Sequence, residues 1–299
     1  MKNKIYLIIF GMFMFFTFSK VWAIESETFI NANGLIISNV DYERLSNLGF
    51  TANEINQMDI TEFEENISLD GKIISSKTLY IKTLEYFDNI IYNINSTSNV
   101  LPNRIEQLYL TEKEYYNQLD DSISNNVNNN VSPQFASSVI DSYKSLTIYI
   151  IETSSGYRVK NTVIWNKMPT VRTEDKIYFQ INNTVKIKAS TRRGKQNWKL
   201  CSGSDCYTGS QSYGVNSSKW ESTSSQQLLH LNPNLKSNEW NGLKLYSVDE
   251  IDMYIYADID KVDSGLNLIL LQAYGYYEHN IITDYEYMGP AILEVDVNW

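Results

Sequence analysis

The side chains able to do chemistry in this chain are two cysteines, two histidines, a cluster of aspartates, one basic cluster and a set of tryptophans. Cys201 and Cys206 flank Ser202-Gly203-Ser204-Asp205. In a chain that leaves the reducing cytosol, that spacing reads as a disulfide closing a small loop. Thioredoxin-like redox chemistry needs two intervening residues, and a zinc site would need histidines at paired spacing. His230 and His279 stand isolated, His230 within Leu228-Leu229-His230-Leu231 and His279 beside Glu278. Neither is accompanied by a Gly-x-Ser-x-Gly elbow, so a hydrolytic triad has no local signature. No catalytic residue is assigned.

Asp258, Asp260 and Asp263, followed by Ser264-Gly265, gather oxygen ligands at a turn. An EF-hand would require a ligand, Gly and Glu where Val262, Asp263 and Ile269 stand. A solvated acidic turn is therefore expected, with calcium in an irregular oxygen cage as the alternative metal site and no other cofactor. Lys186, Lys188, Arg192, Arg193, Lys195 and Lys199 form the basic cluster, which reads as a wet strand face followed by a loop cap; contact with an anionic polymer is the competing reading. Trp165 and Trp299 fall in phase with inward positions and are assigned to the core. Trp198, Trp220 and Trp240 lie in polar stretches and are the candidate sugar-stacking, ligand-binding residues.

The compartment follows from the first 23 residues. Lys2 and Lys4 precede an apolar run from Ile5 to Phe18, and Val21-Trp22-Ala23 offers a cleavage site before Ile24. That is the pattern of a signal peptide, so a secreted, extracellular protein is expected. The run falls short of the roughly 20 apolar residues of a membrane span, and neither a second span, a lipid-bearing Cys nor a C-terminal anchor is expected. Cleavage would remove three lysines and no acid, leaving 22 basic against 35 acidic side chains, a net charge of −13. Nucleic-acid binding rests on phosphate neutralisation by Lys and Arg, so this acidic chain is expected to have no nucleic-acid partner.

These residues must be positioned by elements that the pattern distinguishes. Residues 24–70 read as a short-helix cap: Leu45, Leu48 and Phe50 share a face, Gly49 suits a left-handed C-cap, Thr51 with Glu54 forms a capping box, and Asp59 or Thr61 opens a third turn. Residues 71–122 read as a hairpin, with Asp88-Asn89 at its turn, plus a helix opened by Thr111 and Glu114. The Asn-rich stretch 123–134 reads as a linker.

From 135 to 299 strands dominate. Ile251, Met253, Ile255, Ala257 and Ile259 alternate with Asp252, Tyr254, Tyr256 and Asp258, which predicts one face in a core and the other in water. Ala291, Leu293, Val295 and Val297 repeat the logic. Asn182-Asn183 predicts a tight hairpin between Ile177–Ile181 and Val185–Ala189. Leu266 to Ala273, apolar at successive positions, predicts a central strand covered on both faces. The fold class expected is mainly β: a C-terminal antiparallel β-sandwich with a small helical N-terminal region and a hairpin.

Two stretches carry a resemblance. Asn31-Ala32-Asn33-Gly34 leads through Asp41-Tyr42 and Leu48-Gly49-Phe50 to Glu54-Ile55. Ser142-Tyr143-Lys144-Ser145-Leu146-Thr147 is followed by Val163-Ile164-Trp165-Asn166-Lys167-Met168-Pro169. Both resemble a group of exported proteins of Gram-positive bacteria in which an arginine and an aspartate follow the Trp-x-x-Met-Pro stretch, as Arg172 and Asp175 do here. No activity is known for that group, so the resemblance implies a shared fold and export and transfers no catalytic residue.

The function these observations favour is an exported non-enzymatic binding protein for a glycan, a cell-wall polymer or an extracellular protein. The alternatives are a secreted polysaccharide hydrolase using paired carboxylates, and a β-pore-forming toxin in which an amphipathic hairpin such as Tyr213 to Leu231 would unfold and span.

Overall fold

The computed structural model describes residues 28–87, 102–126, 138–221, 225–265, 267–280 and 285–299. The expected signal peptide, the Asp88-Asn89 turn and most of the Asn-rich stretch lie outside the described residues. In chain order the elements are β1 (Thr28–Ile30), β2 (Ile36–Ser38), α1 (Asn39–Asn47), α2 (Ala52–Asn56), α3 (Ile60–Ile67), β3 (Gly71–Phe87), β4 (Arg104–Leu110) and α4 (Glu112–Asn126). There follow β5 (Ser138–Thr153), β6 (Gly156–Lys167), β7 (Lys176–Ile181), β8 (Val185–Ile187), β9 (Arg193–Ser202) and β10 (Asp205–Tyr213). The last five strands are β11 (Leu228–Leu231), β12 (Glu239–Asn241), β13 (Lys244–Lys261), β14 (Leu268–Asn280) and β15 (Tyr285–Asn298).

The fold is mainly β, an antiparallel sandwich. A large sheet runs β10-β9-β13-β6-β5-β3-β4, with β8 and β12 also paired to β13, and faces a four-stranded sheet in the order β11-β7-β14-β15. The period-two alternation sends Ile148, Val159, Val163, Met253 and Ile255 of the large sheet against Phe179, Leu271, Ala273 and Leu293 of the small one, all buried in one apolar cluster. The segment that reads as a hairpin before a linker is part of this sandwich: β3 runs antiparallel beside β5 from Gly71 to Phe87. Asn182-Asn183 does not make a hairpin. β7 lies in the small sheet whereas β8 pairs with β13 of the large one, so the chain crosses between sheets at this turn. The Asn182 side chain stabilises the crossing by donating to the carbonyl of Leu270 at 2.7 Å.

Three short helices cover the outer face of the large sheet. Ser38, Thr51 and Asp59 cap them, the first two in reciprocal capping boxes with Asp41 and Glu54. Gly49, at φ 79°, turns the chain from α1 towards α2. Leu45, Leu48, Phe50, Ile55 and Met58 pack onto Ile151, Tyr254 and Tyr256.

The expectation that the even-numbered face of β13 meets water is therefore overturned. Asp252, Tyr254 and Tyr256 are buried beneath the helices. Their neighbours explain how charge survives there. Lys160 pairs with Glu54 at 2.5 Å, Lys195 with Glu62 at 3.1 Å and Arg158 with Asp258 at 2.8 Å. The Tyr254 hydroxyl donates to Glu62 at 2.6 Å, and Asn66 donates to the Tyr256 hydroxyl at 3.0 Å. Buried charges persist when paired and hydrogen-bonded, which is the arrangement of Lys160, Lys195 and Arg158, whereas burial pushes the unpaired Asp252 carboxyl well above the usual range. α4 covers the other half of the same face through Tyr115 and Leu119 on Tyr143. None of the described helices is long and apolar enough to cross a membrane.

Candidate ligand-binding face

Among the described residues no helix lies on the outer face of the small sheet, and side chains with recognition chemistry collect there. Along β14 the odd positions Ile269, Leu271, Ala273, Tyr277 and His279 point inward, which leaves Leu268, Leu270, Gln272, Tyr274, Tyr276 and Glu278 outward. The expectation that Leu266–Ala273 is covered on both faces fails at this point: Leu268 and Leu270 are exposed, although the strand is internal in its sheet.

Antiparallel register sets Tyr178 of β7 directly opposite Tyr276 and His230 of β11 opposite Tyr178. The result is a row of rings across all four strands. Tyr178 and Tyr276 stack with centroids 4.8 Å apart, while His230 flanks Tyr178 at 5.1 Å and Tyr287 flanks Tyr276 at 5.8 Å. Such cross-strand aromatic contacts rigidify a sheet face. The Tyr178 hydroxyl donates to Glu278 at 2.8 Å, and burial together with that carboxylate holds its phenol above the usual range. Burial pushes the His230 imidazole below its ordinary value, against the pull of Glu221 at 2.7 Å.

Beside the row lies a depression of about 390 Å³, within the size range of small-ligand sites. Tyr274 and Tyr276 form one wall. Gln180, Asn182, Asn183, Ser225 and Gln227 line the other side, Asn182 already bonded to the Leu270 carbonyl and Gln227 to the Ser225 hydroxyl. Every lining residue is uncharged. A carboxamide offers two donors and an acceptor on one planar group, the inventory that matches adjacent hydroxyls on a ligand. Beneath the floor, Asn161 of the large sheet donates through the core to the carbonyls of Tyr178 at 2.9 Å and Tyr276 at 3.0 Å.

The residues that the sequence singles out are placed elsewhere and are not gathered together. Trp220 is buried, its indole donating to the Gly214 carbonyl at 2.8 Å. Trp198 is half-buried, with the Lys236 ammonium 4.8 Å from its ring centre, and Trp240 stands exposed on β12. None of the three makes a ring contact with another among the described residues.

The basic cluster disperses into partners. Lys188 pairs with Asp260 at 2.9 Å, Arg193 with Glu65, Lys195 with Glu62 and Lys199 with Asp249 at 2.7 Å, while Arg192 donates to the Val215 carbonyl. Lys186 lies on β8 opposite Asp260. Of the three aspartates, Asp258 is held by Arg158, Asp260 by Lys188, and Asp263 accepts from the Gly265 amide at 2.8 Å. Among the described residues no group of three His, Cys, Asp or Glu side chains is placed to hold a metal ion. The Cys201–Cys206 disulfide is present, joining directly opposed residues of β9 and β10. Of the segment from Tyr213 to Leu231, Tyr213 ends β10, whose partner is β9, and Leu231 belongs to β11, whose partner is β7.

One cluster joins residues that the sequence leaves apart. At one end of the sandwich interior Asp175 accepts from the Tyr277 hydroxyl and from His279 Nδ1, the latter at 3.0 Å. Trp165 donates to the same Tyr277 hydroxyl at 2.9 Å. Lys144 sits 4.3 Å from the Trp165 ring centre and pairs with Glu286 at 2.8 Å, while Glu85 accepts from the Thr170 amide at 3.2 Å. An aspartate orienting an imidazole is two-thirds of a catalytic triad. Here both are buried, and His279 Nε2 has no hydrogen-bond partner among the described residues. The cluster cross-links the two sheets. Lys144, Trp165 and Asp175 fall in or just after the two resemblance stretches, but nothing in their spacing places them beside His279.

No protein-family model and no curated protein matches the chain. Among solved structures, the chain is similar to a collagen-binding domain from a Staphylococcus aureus adhesin at 10% identity and a TM-score of 0.24, over 47% of this chain and 87% of that one. It is also similar to the collagen adhesin of S. aureus at 8% identity and a TM-score of 0.24, over 74% and 81% of the two chains. A third overlap is with a structure of manganese lipoxygenase of Gaeumannomyces graminis and part of zonadhesin of Komagataella pastoris, at 8% identity and a TM-score of 0.27, over 77% and 87%.

Proposed function

We propose that this protein is an exported, non-enzymatic binding protein and that the outer face of its four-stranded sheet takes a neutral glycan. The observation that carries the reading is the uncharged depression walled by Tyr274 and Tyr276 and edged by Gln180, Asn182, Asn183 and Gln227. A pyranose ring presents apolar C–H faces and a rim of hydroxyls. Phenol rings receive the former and carboxamides the latter. A charged polymer would lose solvation there without gaining a counter-charge. Gln180, Tyr274 and Tyr276 stand on strands that Asn161 ties to the opposite sheet, and Asn182, Asn183 and Gln227 stand in the turns that adjoin β7 and β11, so the aromatic wall needs little ordering on binding.

Binding of the full mature chain to an array of neutral and acidic glycans tests the proposal. Neutral glycans are expected to bind, and Tyr274→Ala is expected to weaken the best of them roughly two- to tenfold, the range an aromatic contact supplies. A reducing-end assay on the same glycan is expected to stay flat. Retention only of acidic polymers, unchanged affinity in Tyr274→Ala, or release of reducing ends would each refute the proposal, the last in favour of a hydrolase.

A further inference from the structure

The β12–β13 hairpin carries apolar side chains into solvent. Its turn is Gly242-Leu243, with Gly242 at φ 62°, and Leu243 at the apex is 99% exposed. Trp240, 70% exposed, stands directly opposite Leu245 in the ladder, and Leu245 is exposed as well. The neighbouring β9–β10 hairpin, closed by the disulfide, braces this one. Its Asp205 accepts from the Tyr246 hydroxyl at 2.5 Å and pairs with Lys244 at 3.2 Å. Exposed Tyr207 meets the Tyr246 ring at 5.2 Å and donates to Glu239 at 2.6 Å.

Single exposed apolar residues are ordinary, but an apical leucine backed by an exposed Trp–Leu pair on a braced hairpin is a concentrated patch. Two features of this tip identify what it meets. The first is charge: Lys236 and Lys244, the cations beside the hairpin, are each matched by a carboxylate, Glu239 and Asp205 respectively. The second is depth. The Trp240–Leu245 pair lies two residues behind the turn, roughly 7 Å at about 3.3 Å per residue. Interfacial anchors enter a bilayer by about 5–10 Å, with tryptophan preferring the headgroup level.

We propose that the 239–246 hairpin is a shallow membrane anchor that places Leu243 at the acyl boundary and Trp240 among the headgroups of a neutral bilayer. The proposal is independent of the glycan site, which occupies the other sheet.

Co-sedimentation of the mature protein with phosphatidylcholine vesicles, alone or with phosphatidylserine added, is the test. Partition into pure phosphatidylcholine is expected and should not rise with phosphatidylserine. Leu243→Asp should lower it tenfold or more, since a buried leucine is exchanged for a charge. Trp240→Phe should keep partition within a few-fold and abolish quenching of tryptophan emission by shallow brominated lipid. Both positions lie outside the core, so thermal midpoints should not move. Absence of partition, dependence on phosphatidylserine, or an unaffected Leu243→Asp variant would overturn the anchor. Loss of glycan binding in Trp240→Phe without any vesicle binding would do so too and would assign the tip to a sugar.

Discussion

Asn161 stands on the inner face of β6, and its carboxamide donates across the core to the main-chain carbonyl of Tyr276 on β14 at 3.0 Å. The same group reaches Tyr178 at 2.9 Å, so a single side chain of the large sheet supports the stacked pair on the far side of the small one. Gly275 permits the approach, because a Cβ there would come within 2.6 Å of the Asn161 oxygen.

Replacing Asn161 with Leu is expected to cost about 1–3 kcal/mol, the price of leaving two buried carbonyls without their donor. Glycan affinity should fall as well, although Asn161 does not line the depression. Urea unfolding measures the first effect and calorimetric titration the second; an affinity equal to wild type would show that the support is not needed by the site.

The Lys160–Glu54 pair beneath the helices is enclosed on all sides, and Lys160 also donates to the Gly49 carbonyl at 2.7 Å. Glu54→Gln keeps the capping box but strands the ammonium, and a loss of about 3–5 kcal/mol is expected. Lys160→Met with Glu54→Leu should restore most of it, since two apolar groups replace two charges. Denaturant midpoints of the three chains decide this, with the double variant expected to be more stable than Glu54→Gln.

Glu286 predicts an acid transition. Burial by itself would raise its carboxyl, but the Lys144 ammonium, with donors Thr83 at 2.5 Å and Gln107 at 2.6 Å, brings it down to about 2. For Lys144 burial outweighs the same attraction, so its ammonium lies below the ordinary lysine value. The carboxylate gains more because Thr83 and Gln107 donate to it besides the ion pair. A folded value below the unfolded one near 4.5 means that this contribution is complete above pH 4.5 and is lost as pH falls towards 2. The stability difference between wild type and Glu286→Gln should therefore shrink steadily from pH 5 to pH 2 in urea titrations. A constant difference would sink the assignment.

The disulfide is a local staple. Closing so short a loop restrains the unfolded chain by about 2 kcal/mol on the loop-entropy account. Reduction with dithiothreitol, or Cys201→Ser with Cys206→Ser, should lower the thermal midpoint by only a few degrees and leave far-ultraviolet circular dichroism unchanged. Global unfolding on reduction would contradict it.

Short-range physics made much of this molecule readable in advance. The capping boxes at Thr51 and Thr111, the left-handed Gly49, the Cys201–Cys206 pairing and the inward sets of β13 and β15 depend on neighbours a few residues away, and the structure contains them all. The ligand face was less legible. Tyr274 and Tyr276 stand at period two, a signal that the apolar run just before them obscured, and their partner Tyr178 is about a hundred residues away in sequence.

What the sequence alone determined is which positions alternate and where helices begin, because those depend on local sterics, hydrogen bonds and the pleat of a strand. Tertiary structure decided what each outward face meets. Tyr254 and Tyr276 occupy equivalent outward places on their strands, yet one lies under helices among paired charges and the other opens to solvent. It also brought His279 to Asp175 and turned the chain at Asn182 from one sheet to the other. Those outcomes follow from how two sheets and a helical cap close on one another, an arrangement set by burial of distant residues that no window of sequence contains.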